Sequence, residues 1–346
     1  MPVSPIRVGL VGLGNISSIH AEAVKNSRYG TLSAAASSRK EKREAFANKW
    51  SVRGFETFEA MLESSDVDLV SICTPSGTHL DYGEKAAKAG KHVVIEKPIE
   101  ITLKRAARLL NVCSENDVQL AVIYQSRFMK PVRQMKEAID SGRIGRPFMA
   151  TASVKWYRTD EYYREAPWRG TLELDGGGAV INQSIHTIDL LQWMMGEVAT
   201  IQAKTGTFTH EGIEGEDNAV AALEFASGAI GTFVASTSVR PAQPRKIEIH
   251  GTAGTARLVD NEFRLIRPGD DESSGGEGKA TGGEDPLANF AYEPHRDQFD
   301  EIFEAIRKGE RPPVSGPESL NSLSFVEAIY RSSAEKRAIS PADLIP

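Results

Sequence analysis

In the run Leu174-Asp-Gly-Gly-Gly-Ala-Val-Ile-Asn182-Gln-Ser-Ile-His186-Thr-Ile-Asp189, a histidine follows an asparagine by four residues. On a helix, residues four apart share one face. Imidazole is the natural general acid and base near neutral pH, so this spacing suggests proton transfer. Gly176, Gly177 and Gly178 admit unusual backbone geometry and the close approach of a ligand or strand. A histidine on a helix also serves as a structural group, and both readings stand at this point. The second candidate is Lys97, in Gly90-Lys-His-Val-Val-Ile-Glu96-Lys97-Pro98. It falls just past a short apolar run, the place where an open α/β sheet binds its ligands. Pro98 restrains the backbone there, and Glu96 is adjacent to influence the ammonium. The alternative for Lys97 is a surface lysine in a turn.

A third group would hold a nucleotide. Ile6-Arg-Val-Gly-Leu-Val-Gly12-Leu-Gly14-Asn15-Ile16-Ser17 ends an apolar strand and opens a helix. Gly12 permits a tight turn, and Gly14 lets the backbone approach a pyrophosphate. The free N–H groups of the next helix then face the negative charge. Ser17 replaces the third glycine and is still small enough for helix–strand packing. After the second strand comes Ala36-Ser37-Ser38-Arg39-Lys40, with no acid until Glu41. An acid there would bind a ribose 2′-hydroxyl, whereas a hydroxyl and a guanidinium suit a 2′-phosphate. Ser38 and Arg39 therefore favour NADP(H) over NAD(H); otherwise Arg39 is a solvated residue at a helix start.

These residues need a scaffold. Short apolar runs at Ile6–Val11, Leu32–Ala36, Leu69–Cys73, His92–Ile95 and Leu120–Tyr124 alternate with helix-like stretches at Ser17–Asn26, Lys40–Trp50, Thr78–Ala89 and Thr102–Asn116. That is the pattern of a parallel sheet covered on both faces, so residues 1–125 form a doubly wound α/β domain. Gly90 suits the end of the third helix, where a left-handed residue is needed. From Phe148 the rhythm changes to strands at Phe148–Lys155, Val198–Thr207, Ala219–Phe225, Ile230–Ser238, Lys246–His250, Thr255–Val259 and Phe263–Arg267. Gly228 and Gly254 are expected at hairpin turns. Helices are expected at Asn182–Met195, His295–Lys308 and Glu318–Lys336. Residues 126–346 therefore read as an α+β domain with a large, mostly antiparallel sheet, helices on one face, and C-terminal helices able to pack back on the first domain. Phe233, Val234 and Ala235 make one strand apolar on both faces, which suggests that a second subunit covers part of the open side. The acidic, Gly-rich stretch Pro268–Pro286 reads as a mobile loop, with a substrate lid as the alternative.

The segment Lys155-Trp-Tyr157-Arg158-Thr-Asp-Glu-Tyr162-Tyr163-Arg-Glu-Ala-Pro-Trp168-Arg169-Gly170 offers aromatics that stack on sugar C–H faces and donors that fix hydroxyls or a carboxylate. Tyr163, Trp168 and Arg169 are substrate-side candidates, although aromatic core residues would look the same. Gln125 and Arg127 follow the strand ending at Tyr124 and are candidates for the same cleft. His295 is a further candidate for that cleft, but reads first as a surface residue at a helix start.

Taken together, the GLVGLG turn, Cys73-Thr74-Pro75-Ser-Gly-Thr-His79, Glu96-Lys97-Pro98, the glycine run with Asn182, His186 and Asp189, and Pro312-Pro313-Val-Ser-Gly316 resemble the glucose–fructose oxidoreductase / inositol dehydrogenase / MocA family over nearly the whole chain. The resemblance implies a Rossmann domain, an open-faced sheet domain, dimers or tetramers through that sheet, and NAD(P)-dependent redox chemistry on sugars or cyclitols. It adds Asn15, Ile16, Thr74, Pro75, His79, Glu96 and Lys97 to the cofactor side. Lys97 would hydrogen-bond the reacting hydroxyl and His186 would accept its proton. Many relatives carry Asp where this chain has Asn182. An amide takes up no proton, so Asn182 would orient the substrate oxygen or the cofactor amide, leaving the proton to His186 and then Lys97. Nucleotide-sugar 3-dehydrogenases of the family share the Asn. The rival readings are a glycoside hydrolase using bound NAD without net turnover and a non-catalytic cofactor-binding sensor.

The chain has 346 residues, enough for about two domains. With 41 Lys and Arg against 47 Asp and Glu, its net charge of −6 argues against a general nucleic-acid binder. Cys73 and Cys113 lie in apolar runs without metal-type spacing, so no metal and no disulfide is expected. No apolar run is long enough to span a membrane and no signal segment is evident, which makes a cytoplasmic protein the expectation.

Overall fold

A computed structural model describes residues 4–270 and 291–346. Strands β1 (Ile6–Val11), β2 (Gly30–Ala36), β3 (Arg53–Phe55), β4 (Leu69–Ile72), β5 (His92–Ile95) and β6 (Leu120–Val122) form one parallel sheet in the order β3-β2-β1-β4-β5-β6. Its helices are α1 (Asn15–Lys25), α2 (Lys40–Trp50), α3 (Phe58–Leu62), α4 (His79–Lys88) and α5 (Leu103–Glu115). Val8, Leu10, Leu69, Val70 and Val94 are wholly buried, which is why these strands read as unbroken apolar runs. Strand order reverses between β1 and β4, so their carboxyl ends make the switch point at which such sheets bind ligands. Gly90 follows α4 at φ +69, the left-handed residue its position demands.

Residues 4–125 and 291–320 form one compact unit. Helix α9 (Glu293–Lys308) belongs to it: Phe299, Ile302 and Phe303 share a buried cluster with Val8, Val24 and Leu69. The Pro312-Pro313-Val-Ser segment extends the edge of β6, where Val122 N donates to Val314 O at 3.0 Å.

Residues 126–270 and 321–346 form the second unit. It contains α6 (Lys130–Asp140), β7 (Pro147–Lys155), α7 (Asp160–Arg164), α8 (Ile185–Met195), β8 (Val198–Gly206), β9 (Asn218–Phe225), β10 (Ile230–Ser236), β11 (Lys246–Gly251), β12 (Gly254–Val259), β13 (Glu262–Ile266) and most of α10 (Gly316–Glu335). The sheet order is β13-β12-β11-β7-β10-β9-β8, and among the described residues only β7 and β10 of this sheet pair in parallel. Buried Ala219, Ala221, Leu223 and Phe225 alternate with more exposed residues along β9, so one face carries the core. On the other face Val220 is 54% and Ile230 59% exposed.

The expected single helix over Asn182–Met195 is corrected by the structure. Ala179–Gln183 is a π-helical turn, and the α-helix begins at Ile185. The wider turn is held from below by Glu216, whose carboxylate accepts Gly178 N at 3.2 Å and Val180 N at 2.7 Å. A Cβ at Gly178 would lie 2.0 Å from Glu216 O, so only glycine lets the backbone sink this far. Helices α6 and α7 lie in stretches for which the sequence pattern predicted no helix. From residue 271 the acidic Gly-rich stretch lies outside the described residues. Among the described residues no helix is long and apolar enough to cross a membrane.

Candidate active site

In the first unit the three cofactor-side loops leave the carboxyl ends of β1, β4 and β5. Gly12 has φ +86, and a Cβ there would sit 2.4 Å from Cys73 C. Glycine is thus required twice, for its torsion and for the closeness of β4. At Gly14, by contrast, a Cβ would meet nothing within 4 Å. Gly14 caps α1, no side chain caps the helix's first amides, and its first turn carries no acid. An open space before an uncapped helix N-terminus fits a pyrophosphate. Asn15 and Ile16 supply the first of those amides. Ser17 is fully buried and its hydroxyl donates to Gly14 O at 2.6 Å, tying the turn to the helix.

Ser38 and Arg39 are exposed after β2, and the Arg39 amide donates to Ser37 Oγ at 3.2 Å. Thr74 and Pro75 begin the loop after β4, where Thr78 Oγ1 donates to Pro75 O at 2.7 Å. The ring nitrogens of His79 lie 2.9 Å from Pro98 O and 3.0 Å from Thr74 O. With 1% exposure, His79 braces one loop against the other, and burial pushes its pKa down.

Glu96 is clamped beneath Lys97. Its Oε2 accepts the Lys97 amide at 3.0 Å, and its Oε1 lies 2.8 Å from His20 Nε2. His20 Nδ1 is 2.8 Å from Ser71 Oγ. Burial disfavours the charge on both partners, yet the pair overrides it. The hydrogen bond and charge of His20 hold the Glu96 carboxyl below the usual carboxylate range. The Cys73 sulfur and Glu96 hold His20 above the usual imidazole range. His295, read from sequence as a surface residue, is fully buried with its ring 5.5 Å from that of His20. Burial and the neighbouring His20 charge push it down to about 3. The apolar α9 face that seats Phe299 and Phe303 draws it inward, which a helix-start position in the sequence does not show. Lys97 itself is half-buried. Gln125 is 8% exposed, and its Oε1 has no hydrogen-bond partner among the described residues.

In the second unit Asn182 closes the π-helical turn and His186 lies in the first turn of α8, both half-buried. Asn182 Nδ2 donates to Asp175 Oδ1 at 2.5 Å, and Asp175 Oδ2 accepts Gly170 N at 2.8 Å. Gln183 Nε2 donates to Asn182 Oδ1 at 3.2 Å and to the Tyr162 hydroxyl at 2.8 Å. Arg158, only 3% exposed, donates to Gln183 Oε1 through Nε at 3.2 Å and a terminal nitrogen at 2.9 Å. None of Asp175, Gln183 and Arg158 was singled out from sequence. The one available signal was an acid directly before three glycines. Burial pushes the Glu216 carboxyl beneath this turn up to about 7.

The other substrate-side candidates separate. The Arg169 guanidinium lies 4.0 Å from the Tyr162 ring centre, with Trp168 at 6.0 Å. The Tyr163 hydroxyl donates to Thr237 at 3.1 Å, and its ring packs edge-on against His210 at 4.9 Å. Arg127 is held by Asp189 in a bidentate pair, Nε to Oδ2 at 2.8 Å and a terminal nitrogen to Oδ1 at 2.6 Å. With side-chain exposures of 11% and 2%, that pair is largely buried, and its guanidinium is committed to Asp189 on α8.

Comparison with known proteins agrees with both halves. A family model described as the oxidoreductase family, NAD-binding Rossmann fold, matches residues 6–124, and the GFO/IDH/MocA C-terminal domain matches residues 132–257. The chain is 30% identical to inositol 2-dehydrogenase of Rhizobium meliloti, covering 97% of this chain and 99% of that protein. It is 28% identical to myo-inositol 2-dehydrogenase of Thermotoga maritima, covering 98% of this chain and 100% of that protein. The crystal structure of the WlbA dehydrogenase from Bordetella pertussis, in complex with NADH and UDP-GlcNAcA, superposes with a TM-score of 0.86. The two chains are 33% identical, over 97% of this one and 98% of that one. With the parallel sheet and its open glycine turn in one unit, the mostly antiparallel sheet in the other, and matches spanning both, the chain belongs to the Gfo/Idh/MocA oxidoreductase family.

Proposed function

We propose that this protein transfers hydride between a secondary alcohol of a sugar, sugar acid or cyclitol and a nicotinamide dinucleotide, with NADP(H) favoured over NAD(H). The observation carrying this reading is the Gly12–Gly14 turn, packed closely against Cys73 at Gly12 and open at Gly14 where α1 presents its uncapped amides. When bound, the nicotinamide supplies the hydride acceptor or donor. His186 takes the hydroxyl proton in the oxidative direction and returns it in the reverse. Lys97 stabilises the charge that builds on the carbinol oxygen. Asn182 orients the substrate, because an amide can direct a hydrogen bond but holds no extra proton. A panel of sugars, sugar acids and cyclitols with each nicotinamide, read by absorbance of the reduced cofactor, tests the reading. Cofactor binding with no reduction across the panel overturns it, and product without net reduced cofactor points to a hydrolase instead.

The preference for NADP(H) is supported by the exposed Ser38-Arg39 pair and by the lack of an acid between Ala36 and Lys40. Arg39→Asp is expected to move the NADP/NAD ratio of kcat/KM toward NAD by about tenfold or more, the scale of one lost charge-assisted contact. An unchanged ratio removes the 2′-phosphate reading. Exposed Val220 faces Val234 across β9 and β10, which supports a second copy of the chain lying on this side of the sheet. A monomeric mass in solution at micromolar concentration counts against that.

A further inference from the structure

We propose that Asp175, Gln183 and Arg158 set the polarity of the Asn182 carboxamide, and that positions 175 and 182 form a coupled pair needing one carboxylate and one amide. The side-chain ends of an asparagine or glutamine are assigned from their partners, and here the chain of partners leaves no choice. Arginine only donates, so the Gln183 end that meets Arg158 is its oxygen. The other end of Gln183 is then its NH2 group, which donates to Asn182 Oδ1. Asn182 therefore turns its own NH2 group to Asp175, whose Oδ1 accepts it at 2.5 Å. Asp175 is 2% exposed and is itself anchored by Gly170 N, so it cannot swing away. Asp175, Gln183 and Arg158 are positioning residues in this scheme, because they act through Asn182.

The pairing gives a physical reason for the amide at 182. A carboxylate there would stand at hydrogen-bond distance from that of Asp175, and two such groups cannot both ionise without large cost. One would keep a proton into the neutral range. The charged or titratable groups around the pair are Arg158 in the loop after β7, Tyr162 and Tyr163 on α7, Arg169 stacked on Tyr162, and Tyr330 on α10, with His186 four residues further along the chain. Burial raises the pKa of all three tyrosines, so they stay neutral below pH 9. Glu216, raised to about 7 by burial, is common to the parent and the variants, so the parent's own pH profile is the reference.

The rate part of this inference rests on the dehydrogenase reading, and the stability part does not. Asn182→Asp is expected to lose thermal stability between pH 6 and pH 8 beyond the parent's own change. A shared proton raises the folded-state pKa of one carboxyl, so its stabilisation is present at low pH and lost as pH rises through that value. Its kcat at pH 8 falls by about 10- to 100-fold and recovers toward pH 6, the scale of a misoriented contact. The double variant Asp175→Asn with Asn182→Asp restores one amide and one carboxylate and keeps an acceptor for Gly170 N. It is expected to lose the added pH dependence of stability and to regain at least about tenfold in kcat at pH 8. The inference is overturned if Asn182→Asp shows the parent's pH profile of melting, or if the double variant melts and turns over no better than Asn182→Asp. If the parent reduces no cofactor on any substrate, the dehydrogenase reading has failed and the melting profiles still decide the pairing.

Discussion

Turnover by His186→Ala is expected to fall by ~100-fold or more, and that by Lys97→Ala by a similar factor, with the dinucleotide still bound. Neither substitution touches what shapes the nucleotide turn. Gly12, Gly14 and Ser17 are held by β4 and by their own hydrogen bonds, so cofactor affinity measured by fluorescence should change little. His186 sits on an α-helix whose neighbours Ile185, Ile188 and Leu190 are fully buried, so the backbone beneath it survives loss of the imidazole. Lys97 is held through its backbone amide by Glu96, and that contact also survives truncation of its side chain. The loss should therefore appear in kcat, with the ionisation assigned to His186 missing from the pH profile of His186→Ala. Turnover at the parent rate in both variants would dismiss the assignment.

Arg127→Ala is expected to lower stability by about 3–5 kcal/mol, because it strands the Asp189 carboxylate without its bidentate partner. At about 2–4 °C per kcal/mol for a domain of this size, the melting temperature falls by about 6 °C or more. Asp189 is 1% exposed and cannot turn to water. Replacing both members by apolar residues, Arg127→Met with Asp189→Leu, should recover much of the loss, since burying an ion pair already costs desolvation. Had Arg127 been a substrate contact, its removal would raise KM and leave melting unchanged. That result, in Arg127→Ala, would return it to the cleft.

These two residues mark how far the sequence could be read. Lys97 and His186 stood out because their types are reactive and their neighbours, a proline after a strand and three glycines before a helix, restrict the backbone. Arg127 looked equally available, being a cation just beyond a strand. Its partner is 62 residues away, on a helix face that is buried. His295 shows the same limit, since a polar residue at a helix start gives no sign that the helix is turned inward against His20. The π-helical turn at Ala179–Gln183 was hidden because Glu216, which holds its amides, comes 36 residues after Val180.

Local and periodic properties were thus settled by sequence: parallel strands that are apolar throughout, an antiparallel sheet that alternates, a left-handed glycine after α4, and the turn at Gly12 and Gly14. Each follows from the torsions and burial of residues near one another in the chain. What tertiary structure alone decided is which polar groups are spent. Asp175 on Asn182, Glu96 on His20, and Asp189 on Arg127 are pairings between groups whose individual types permit many partners. A hydrogen bond has direction and short range, so only the folded positions say which donor meets which acceptor, and hence which side chains remain for chemistry.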